Sequence, residues 1–500
     1  MKLLFLYPEY SYPRKNPPIG LASLAASALE QGHEAEIIDL NVLTQGERRD
    51  LPARIKAAAP DLVGVSFMTN QYASALGLIG EVRGALPGAS IVAGGPHASA
   101  LPRDLLREAP GLDLVVYGEG EIPLARLLAA LAQDPPPLEG VPNLCYRRAD
   151  TGEIVQTPPA AEAWDFEKAP WPAWRLLDLD RYEVFGAGGD AGKRTFALLS
   201  SRGCPGHCTF CDSHTIFGRR FRGRSADNLF REIIYLHENF GMEQFDFVDD
   251  LITLDRDRLE DLCRRLITAP TRFTWMANAR VNTVDEDLLR LMKDAGCVRL
   301  DLGVESADPE VRRRMKKGIT NEQIVRAHQA CKKVGLYVGT FLMVGNLGET
   351  MDSVKATARL MKGLSDDPNI SIACPYPGTE LFRLAEEKGL LLTKDWSRYG
   401  TAPTFMADYR PVMRTEEMTP GEILKAYYYL VSVFATDKFR SRYGRRYYLN
   451  PRFLREYVLL TRRYGGFRRK SRLALTLLAN LVRNKVDGLA KGRGAKAAGC

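Results

Sequence analysis

The chain has 500 residues, 45% of them hydrophobic and 26% charged, with a formal net charge of +8 at pH 7. This is ordinary globular composition for two to four domains, and no apolar run reaches the roughly eighteen residues that a membrane-spanning helix needs. Nine cysteines, six of them scattered singly, argue against a disulfide framework and for a reducing, cytoplasmic setting.

The opening Met1–Tyr7 is cut short as an apolar run by Pro8 and Glu9, too early for a signal peptide, and reads as a first β-strand. Further strands fit residues 35–40, 61–67, 90–94 and 113–118, with helical patterns such as 20–31 and 72–85 between them. Five short strands alternating with helices predict an α/β unit over residues 1–139, an open, doubly wound, five-stranded parallel sheet. Ligands of such sheets bind beyond the carboxyl ends of the strands. Those ends carry Pro17-Pro18-Ile19-Gly20, Ser66 to Asn70 with Thr69, Gly94-Gly95-Pro96-His97 and Gly118-Glu119-Gly120-Glu121. Glycine there permits positive φ and close approach of the backbone to a bulky ligand. A linker is expected over residues 140–193, rich in proline and, at Gly186–Gly192, in glycine. Its Trp164, Trp171 and Trp174 are expected to pack across a domain interface.

Residues 194–400 repeat the alternation, with strands at 195–200, 245–249, 272–277, 298–303, 336–344 and 369–373 and helices between. Immediately after the first of these strands stand Cys204, Cys208 and Cys211, spaced C-x3-C-x2-C. Three thiolates can hold a cubane iron–sulfur cluster and leave one iron free for a small molecule, whereas four thiolates suit electron transfer. The alternatives are buried cysteines or a zinc site, for which only His207 or His214 is near enough to act as fourth ligand. The other strand ends carry Asp249-Asp250, Asn278-Ala279-Arg280, Gly303-Val304-Glu305-Ser306, Gly345-Asn346-Leu347-Gly348-Glu349-Thr350 and Cys374-Pro375-Tyr376-Pro377-Gly378-Thr379. Taken singly, each has a structural reading: Asp249 or Asp250 could cap a helix, and Glu305 could pair with Arg280 or Arg299.

The cysteine loop at the head of six βα units resembles that of the radical S-adenosylmethionine (SAM) enzymes. Pro-Pro-Ile-Gly-Leu, Gly-Gly-Pro-His and Tyr-Gly-Glu-Gly-Glu resemble the cobalamin-binding domain fused in front of many of them. The resemblance covers roughly residues 1–400. It implies a six-unit partial barrel with its site at the strand ends and a [4Fe-4S] cluster on Cys204, Cys208 and Cys211. It implies SAM contacts from Asp249, Asp250, Asn278, Arg280, Glu305 and Ser306. It also implies cobalamin contacts from Pro18, Gly20, Ser66, Thr69, Gly94, Gly95, His97, Gly118, Glu119, Gly120 and Glu121. The Asp-x-His-x-x-Gly loop of cobalamin proteins that replace the lower ligand is absent, as is usual in this class, and Leu347 stands where the family often has proline.

The implied chemistry is reductive cleavage of SAM to a 5′-deoxyadenosyl radical, which abstracts a substrate hydrogen, the protein excluding water and placing the carbon. Methyl transfer to an unactivated carbon of a small-molecule or lipid-like precursor is the leading expectation. Cyclisation or rearrangement, or an N-terminal domain serving as scaffold without cobalamin, are the alternatives. Cys374 and Tyr376, beside the expected substrate cavity, are the candidate catalytic residues, the thiol as hydrogen donor or proton relay. A flavodoxin or ferredoxin is the expected electron donor. Methylthiotransferases of the superfamily carry three N-terminal cysteines for a second cluster, and the first 195 residues here hold only Cys145, so that class is excluded.

Cys145 is expected on a strand, and Cys263, Cys297 and Cys331 in the core. Cys500 belongs to a glycine- and lysine-rich tail. Residues 401–500 form a basic helical region. From 437 to 500 there are 18 Lys and Arg against three acids, a charge of +15, while the remainder holds 51 basic and 58 acidic residues, or −7. The expected reading is a helical cap over the barrel. Peripheral contact with an anionic inner-membrane surface is the second, and nucleic acid, through arginines interleaved with aromatic residues, is third.

Overall fold

The computed structural model describes residues 1–10, 16–182, 195–403 and 409–444, with Met406, Asn450 and Arg452. In the N-terminal unit, β1 (Lys2–Tyr7), β2 (Glu34–Asp39), β3 (Leu62–Ser66), β4 (Ser90–Gly94) and β5 (Leu114–Val116) fall where the alternation places them. They pair in parallel in the order β2-β1-β3-β4-β5, with Leu3 opposite Ala35 on one side and Leu62 on the other. Leu3, Leu4, Phe5 and Leu6 are all buried, as a strand covered by helices on both faces requires. The strand order reverses between β1 and β3, which opens a crevice at their carboxyl ends. The sheet does not stop at five strands. β6 (Leu144–Arg147) and β7 (Ile154–Gln156) extend it antiparallel beyond β5, from residues read in the sequence as linker, and Cys145 lies buried on β6.

The second unit begins with β8 (Thr195–Leu198) and a small antiparallel ribbon, β9 (Ser201–Arg202) with β10 (Arg222–Gly223). It continues through β11 (Gln244–Phe247), β12 (Thr274–Arg280), β13 (Cys297–Glu305), β14 (Tyr337–Val344) and β15 (Asp367–Ile372). The sheet is wholly parallel and strictly sequential, β15-β14-β13-β12-β11-β8, the expected partial barrel of six strands. β12 and β13 run further than the sequence pattern indicates, because the ladder continues through Ala279 opposite Leu302 and Arg280 opposite Gly303. Asn278, Arg280 and Glu305 therefore sit on strands and not in the loops after them. The helix Ala226–Phe240 shows why the helices form: Leu229, Ile233 and Leu236 repeat on one buried face, Ser225 caps its start and Gly241, in the left-handed region, ends it.

Both units share one apolar core, and the segment between them joins it. Trp174, 1% exposed, stacks edge-on against Phe196 of β8 with ring centroids 4.7 Å apart and donates its indole N–H to Glu232 at 2.9 Å. Trp171 donates to Asn228 at 2.9 Å, and the amide of Ala173 donates to the Ala22 carbonyl at 2.9 Å. Trp171 and Trp174 thus fasten the segment between the units to the barrel. At the other end, the helix Pro420–Tyr443 buries Ile423, Ala426, Tyr427, Leu430 and Phe434 at helical spacing and packs on the helix Met351–Met361 and on β15. This part of the basic region is a cap on the barrel. The remaining stretches expected to be basic and helical, Leu454–Arg463 and Leu473–Val482, and the Cys500 tail lie outside the described residues. Among the described residues no helix is long and apolar enough to cross a membrane.

Removing the Trp174 ring leaves a large cavity between the units and takes one donor from Glu232, whose other oxygen stays paired with Arg224 at 2.5 Å. Trp174→Ala is expected to destabilise the protein by about 3–5 kcal/mol, read as a lower midpoint in urea or thermal unfolding.

Candidate active site

The cysteine loop starts from a residue that must be glycine. Gly203 has φ of +81°, and a Cβ there would lie 2.2 Å from the Arg220 carbonyl oxygen. The loop that follows is tied down by its backbone: Thr209 donates to the Met315 carbonyl at 3.0 Å and accepts from the Leu381 amide at 2.8 Å. Phe210 packs against the buried Ala373 and Leu381 group. Cys204, Cys208 and Cys211 are left half-buried. Gly206 sits between thiols, since a Cβ there would lie 3.3 Å from Cys204 Sγ, 4.0 Å from Cys208 Sγ and 3.1 Å from Arg280 Nη1, and its amide donates to Cys204 Sγ at 3.4 Å.

Burial pushes the Cys211 thiol up to about 12 and raises Cys204 as well, so both need a strong cation to ionise, which iron supplies. Three thiolates on one loop are the donor set that a cubane takes at three of its corners, and Cys204 Sγ and Cys208 Sγ both lie beside Gly206.

The residues expected to hold SAM divide into two groups. Asp250 is exposed, accepts from Ser213 Oγ and lies close enough to Cys204 and Cys211 to raise both thiols. Arg280 reaches over Gly206 toward the thiols and donates to the Lys317 carbonyl at 2.5 Å. Asn278 is half-buried on β12. Asp249 and Ser306 are otherwise engaged. Asp249, 1% exposed, accepts from the Ser200 amide at 3.1 Å, from Ser200 Oγ at 2.7 Å and from Ser201 Oγ. It clamps the end of β8, a role that needs no ligand and that the sequence could not separate from ligand binding. Ser306 is buried against Thr357 at 3.4 Å and accepts from the Asp308 amide, so it shapes the turn after β13.

Glu305 pairs with neither arginine considered from sequence. It adopts φ of +66° and binds Lys317 at 2.8 Å. Lys317 itself escaped the sequence reading, since nothing in Lys316-Lys317-Gly318 marks it as different from a surface lysine. Burial alone would lower its pKa, but Glu305 and the Cys208 sulfur outweigh that and hold it charged. Arg280 and Lys317 thus place two cations beside a loop that would carry thiolates.

In the loop after β14, Glu349 is 1% exposed and accepts from the Gly345 amide at 2.6 Å and the Asn346 amide at 3.3 Å, both through one oxygen, Oε2. Burial pushes its carboxyl up to about 8.

On the N-terminal side, His97 and Thr69 are buried and bonded to each other, Nδ1 to Oγ1 at 3.2 Å. Gly95, with φ of +89°, lets β3 and β4 close up: a Cβ would lie 2.8 Å from Ser66 Oγ and 2.9 Å from the Phe67 amide. Pro18 and Gly20 open the helix Ile19–Glu30, and Gly94 ends β4. Next to Ser66 and Thr69, Met68 is 40% exposed, with Tyr10 Oη 3.7 Å from its sulfur.

In the turn Gly118-Glu119-Gly120-Glu121 both carboxylates have partners in the barrel. Glu119 binds Arg202 at 2.9 Å and also Arg222, and Glu121 binds Arg202 at 2.6 Å. Both carboxylates are taken up by the barrel's ribbon.

His97 meets Trp396 at 5.5 Å between ring centroids, Tyr72 at 4.8 Å and Phe67 at 5.7 Å, and Trp396 meets Tyr399 at 4.9 Å. Burial lowers His97 to about 4, so the ring is neutral. Tyr72, His97 and Trp396, with Asp104, Glu108 and Phe382, are among the residues that line a cleft of about 400 Å³ between the units. Cys374 does not face an open cavity. It is 3% exposed among Trp396, Tyr399 and Val412, and burial raises its thiol. Tyr376 is half-buried, 6.5 Å from Tyr399.

A profile of the Radical SAM superfamily matches residues 198–361 and one of the B12 binding domain matches residues 11–128. An uncharacterized methyltransferase of Pyrococcus horikoshii is 33% identical over 432 residues, 85% of this chain and 90% of its own. The anaerobic magnesium-protoporphyrin IX monomethyl ester cyclase of Rubrivivax gelatinosus is 28% identical over 91% of this chain and 78% of its own. Among solved structures, the cobalamin-dependent S-adenosylmethionine radical enzyme OxsB, with aqua-cobalamin and S-adenosylmethionine bound, superposes with a TM-score of 0.71 at 17% identity, covering 98% of this chain and 81% of that one. That likeness is one of fold.

The Glu349 carboxyl has a measurable consequence. Its ordinary value is 4.5 and its folded value about 8. Between those values the folded chain keeps a proton that the unfolded chain releases. Stability is therefore full below about pH 4.5 on this account and falls as pH rises toward 8, by about 1 kcal/mol per pH unit. Urea midpoints at pH 6 and pH 8 should show this fall in the wild type and a flatter profile in Glu349→Gln.

Proposed function

The chain belongs to the radical SAM superfamily and carries a B12-binding domain, and from that premise we propose that it transfers a methyl group to an unactivated carbon of a small-molecule or lipid precursor. The observation that carries this reading is the meeting of the two cofactor-binding ends. The helix Pro96–Ala100, just past β4, packs on the segment His214–Phe217, just past Cys211. Gly378, after β15, lies between them, where a Cβ would come within 2.7 Å of Thr215 Cγ2 and 3.2 Å of Ala100 Cβ. An N-terminal crevice built for one cofactor and a loop built for another therefore share a boundary with the end of the last strand.

When bound, the cluster, SAM and cobalamin supply reductive SAM cleavage and a methyl donor. The chain's own part is placement. Cys204, Cys208 and Cys211 would hold three corners of the cluster and leave the fourth iron to SAM. Asp250 offers a carboxylate to the SAM ammonium, and Arg280 a guanidinium to its carboxylate. A chain of ring contacts, Tyr72 to His97 to Trp396 to Tyr399, runs from one unit to the other beside that boundary. Ring closure is a second reading, favoured by the similarity to a cyclase over most of the chain. It shares hydrogen abstraction and differs in needing no methyl.

Anaerobically reconstituted wild-type protein is expected to hold about four irons and one cobalamin per chain, and to release 5′-deoxyadenosine from SAM with dithionite. Replacing the three cysteines by alanine should remove the iron and that release while leaving cobalamin bound. Wild-type protein that takes up no iron would refute the reading. Label from the S-methyl group of SAM should appear in the product for methyl transfer and be absent from it for ring closure.

A further inference from the structure

The turn Tyr117-Gly118-Glu119-Gly120-Glu121 follows β5 of the N-terminal sheet, yet its carboxylates end in the barrel. Arg202 forks between them, Nη1 donating to Glu119 at 2.9 Å and Nη2 to Glu121 at 2.6 Å. Arg222, directly opposite Arg202 in the ribbon, grips Glu119 with both terminal nitrogens, one of them at 3.1 Å. Arg202 and Glu121 are each 4% exposed. The linker seals them: the Phe166 ring lies 4.7 Å from the Arg202 guanidinium and Phe217 lies 5.4 Å from it on the barrel side. The glycines fit the turn against its own unit. Gly118 has φ of +73°, and a Cβ there would lie 3.2 Å from Asn143, while one on Gly120 would lie 3.0 Å from Leu24.

From Arg202 to the first thiol there is one residue, Gly203, and its backbone is pressed against the Arg220 carbonyl. A displacement of Arg202 therefore passes to Cys204 with little slack. Buried charge pairs tolerate few geometries, because a shifted partner leaves a desolvated charge unpaired, so they fix orientation better than apolar contacts do.

We infer that Glu119 and Glu121 are positioning residues, which set the cysteine loop against the N-terminal sheet through Arg202 and Arg222 and take no part in cobalamin contact. The purpose of that setting rests on the function proposed above. The latch itself does not.

Hydrogen exchange on the full chain, read by mass spectrometry, decides it. In Glu119→Gln and in Glu119→Gln/Glu121→Gln, amides of residues 201–211 should exchange at least tenfold faster than in wild type, with β13 and β14 keeping their protection and cobalamin content unchanged. Unchanged exchange at 201–211 would overturn the inference. So would loss of cobalamin with an unmoved loop, which would make the glutamates corrin ligands, or a general loss of protection, even in the single variant, which would make them mere stabilisers. In loaded protein, the cob(II)alamin electron paramagnetic resonance signal should saturate at lower power in the variants, because the reduced cluster that relaxes it is no longer held in place. If wild type binds no iron or cobalamin, the proposed function fails, and exchange in the unloaded chain still decides the latch.

Discussion

Two sheets whose functional loops all lie at strand carboxyl ends can cooperate only if those ends face each other, and the parallel topology gives no means of ensuring it. Each sheet is complete without the other. What aligns them is a set of contacts in which polar atoms have set partners: Trp174 on Glu232, Trp171 on Asn228, Arg202 on Glu119 and Glu121. Apolar burial through Phe196 and Trp174 supplies the attraction. The buried hydrogen bonds and ion pairs supply the angle, since any other angle would leave a desolvated group unsatisfied.

The same logic recurs within the barrel. Asp249 gathers Ser200 and Ser201 at the mouth of β8, and Thr209 bridges from the cysteine loop to Met315 and Leu381. The cysteine loop is thus held on three sides by hydrogen bonds within the chain, while Arg280 and Lys317 bring positive charge beside its sulfurs. A reduced cluster adds negative charge to a partly desolvated site, and cations already in position offset it without reorganisation.

Much of this was legible in the sequence, for a physical reason. Strands buried on both faces are short continuous apolar runs, so β1, β3 and β4 stand out, and the cysteine spacing is local. β6 and β7 are short antiparallel edge strands set among prolines and carry no such run. Roles decided by partners distant in the chain were hidden. Glu305 finds Lys317 twelve residues on, Asp249 finds Ser200 forty-nine residues back, and Glu121 finds Arg202 eighty-one residues away. Each glutamate or aspartate was visible as a polar residue at a strand end, but whether its oxygens remain free for a ligand is a property of the folded chain alone. Cys374 shows the converse, since the aromatic residues that bury it, Trp396 and Tyr399, come after the last strand.

The Tyr-Gly-Glu-Gly-Glu turn belongs by sequence to the cofactor-binding unit and by contact to its neighbour. As the chains of relatives diverge, such a turn should therefore follow Arg202 and Arg222 and not the corrin. A descendant that abandoned cobalamin but kept its two units docked would retain the turn, and one that kept cobalamin in a detached N-terminal domain would be free to lose it. What the motif does in this fold is join the two halves.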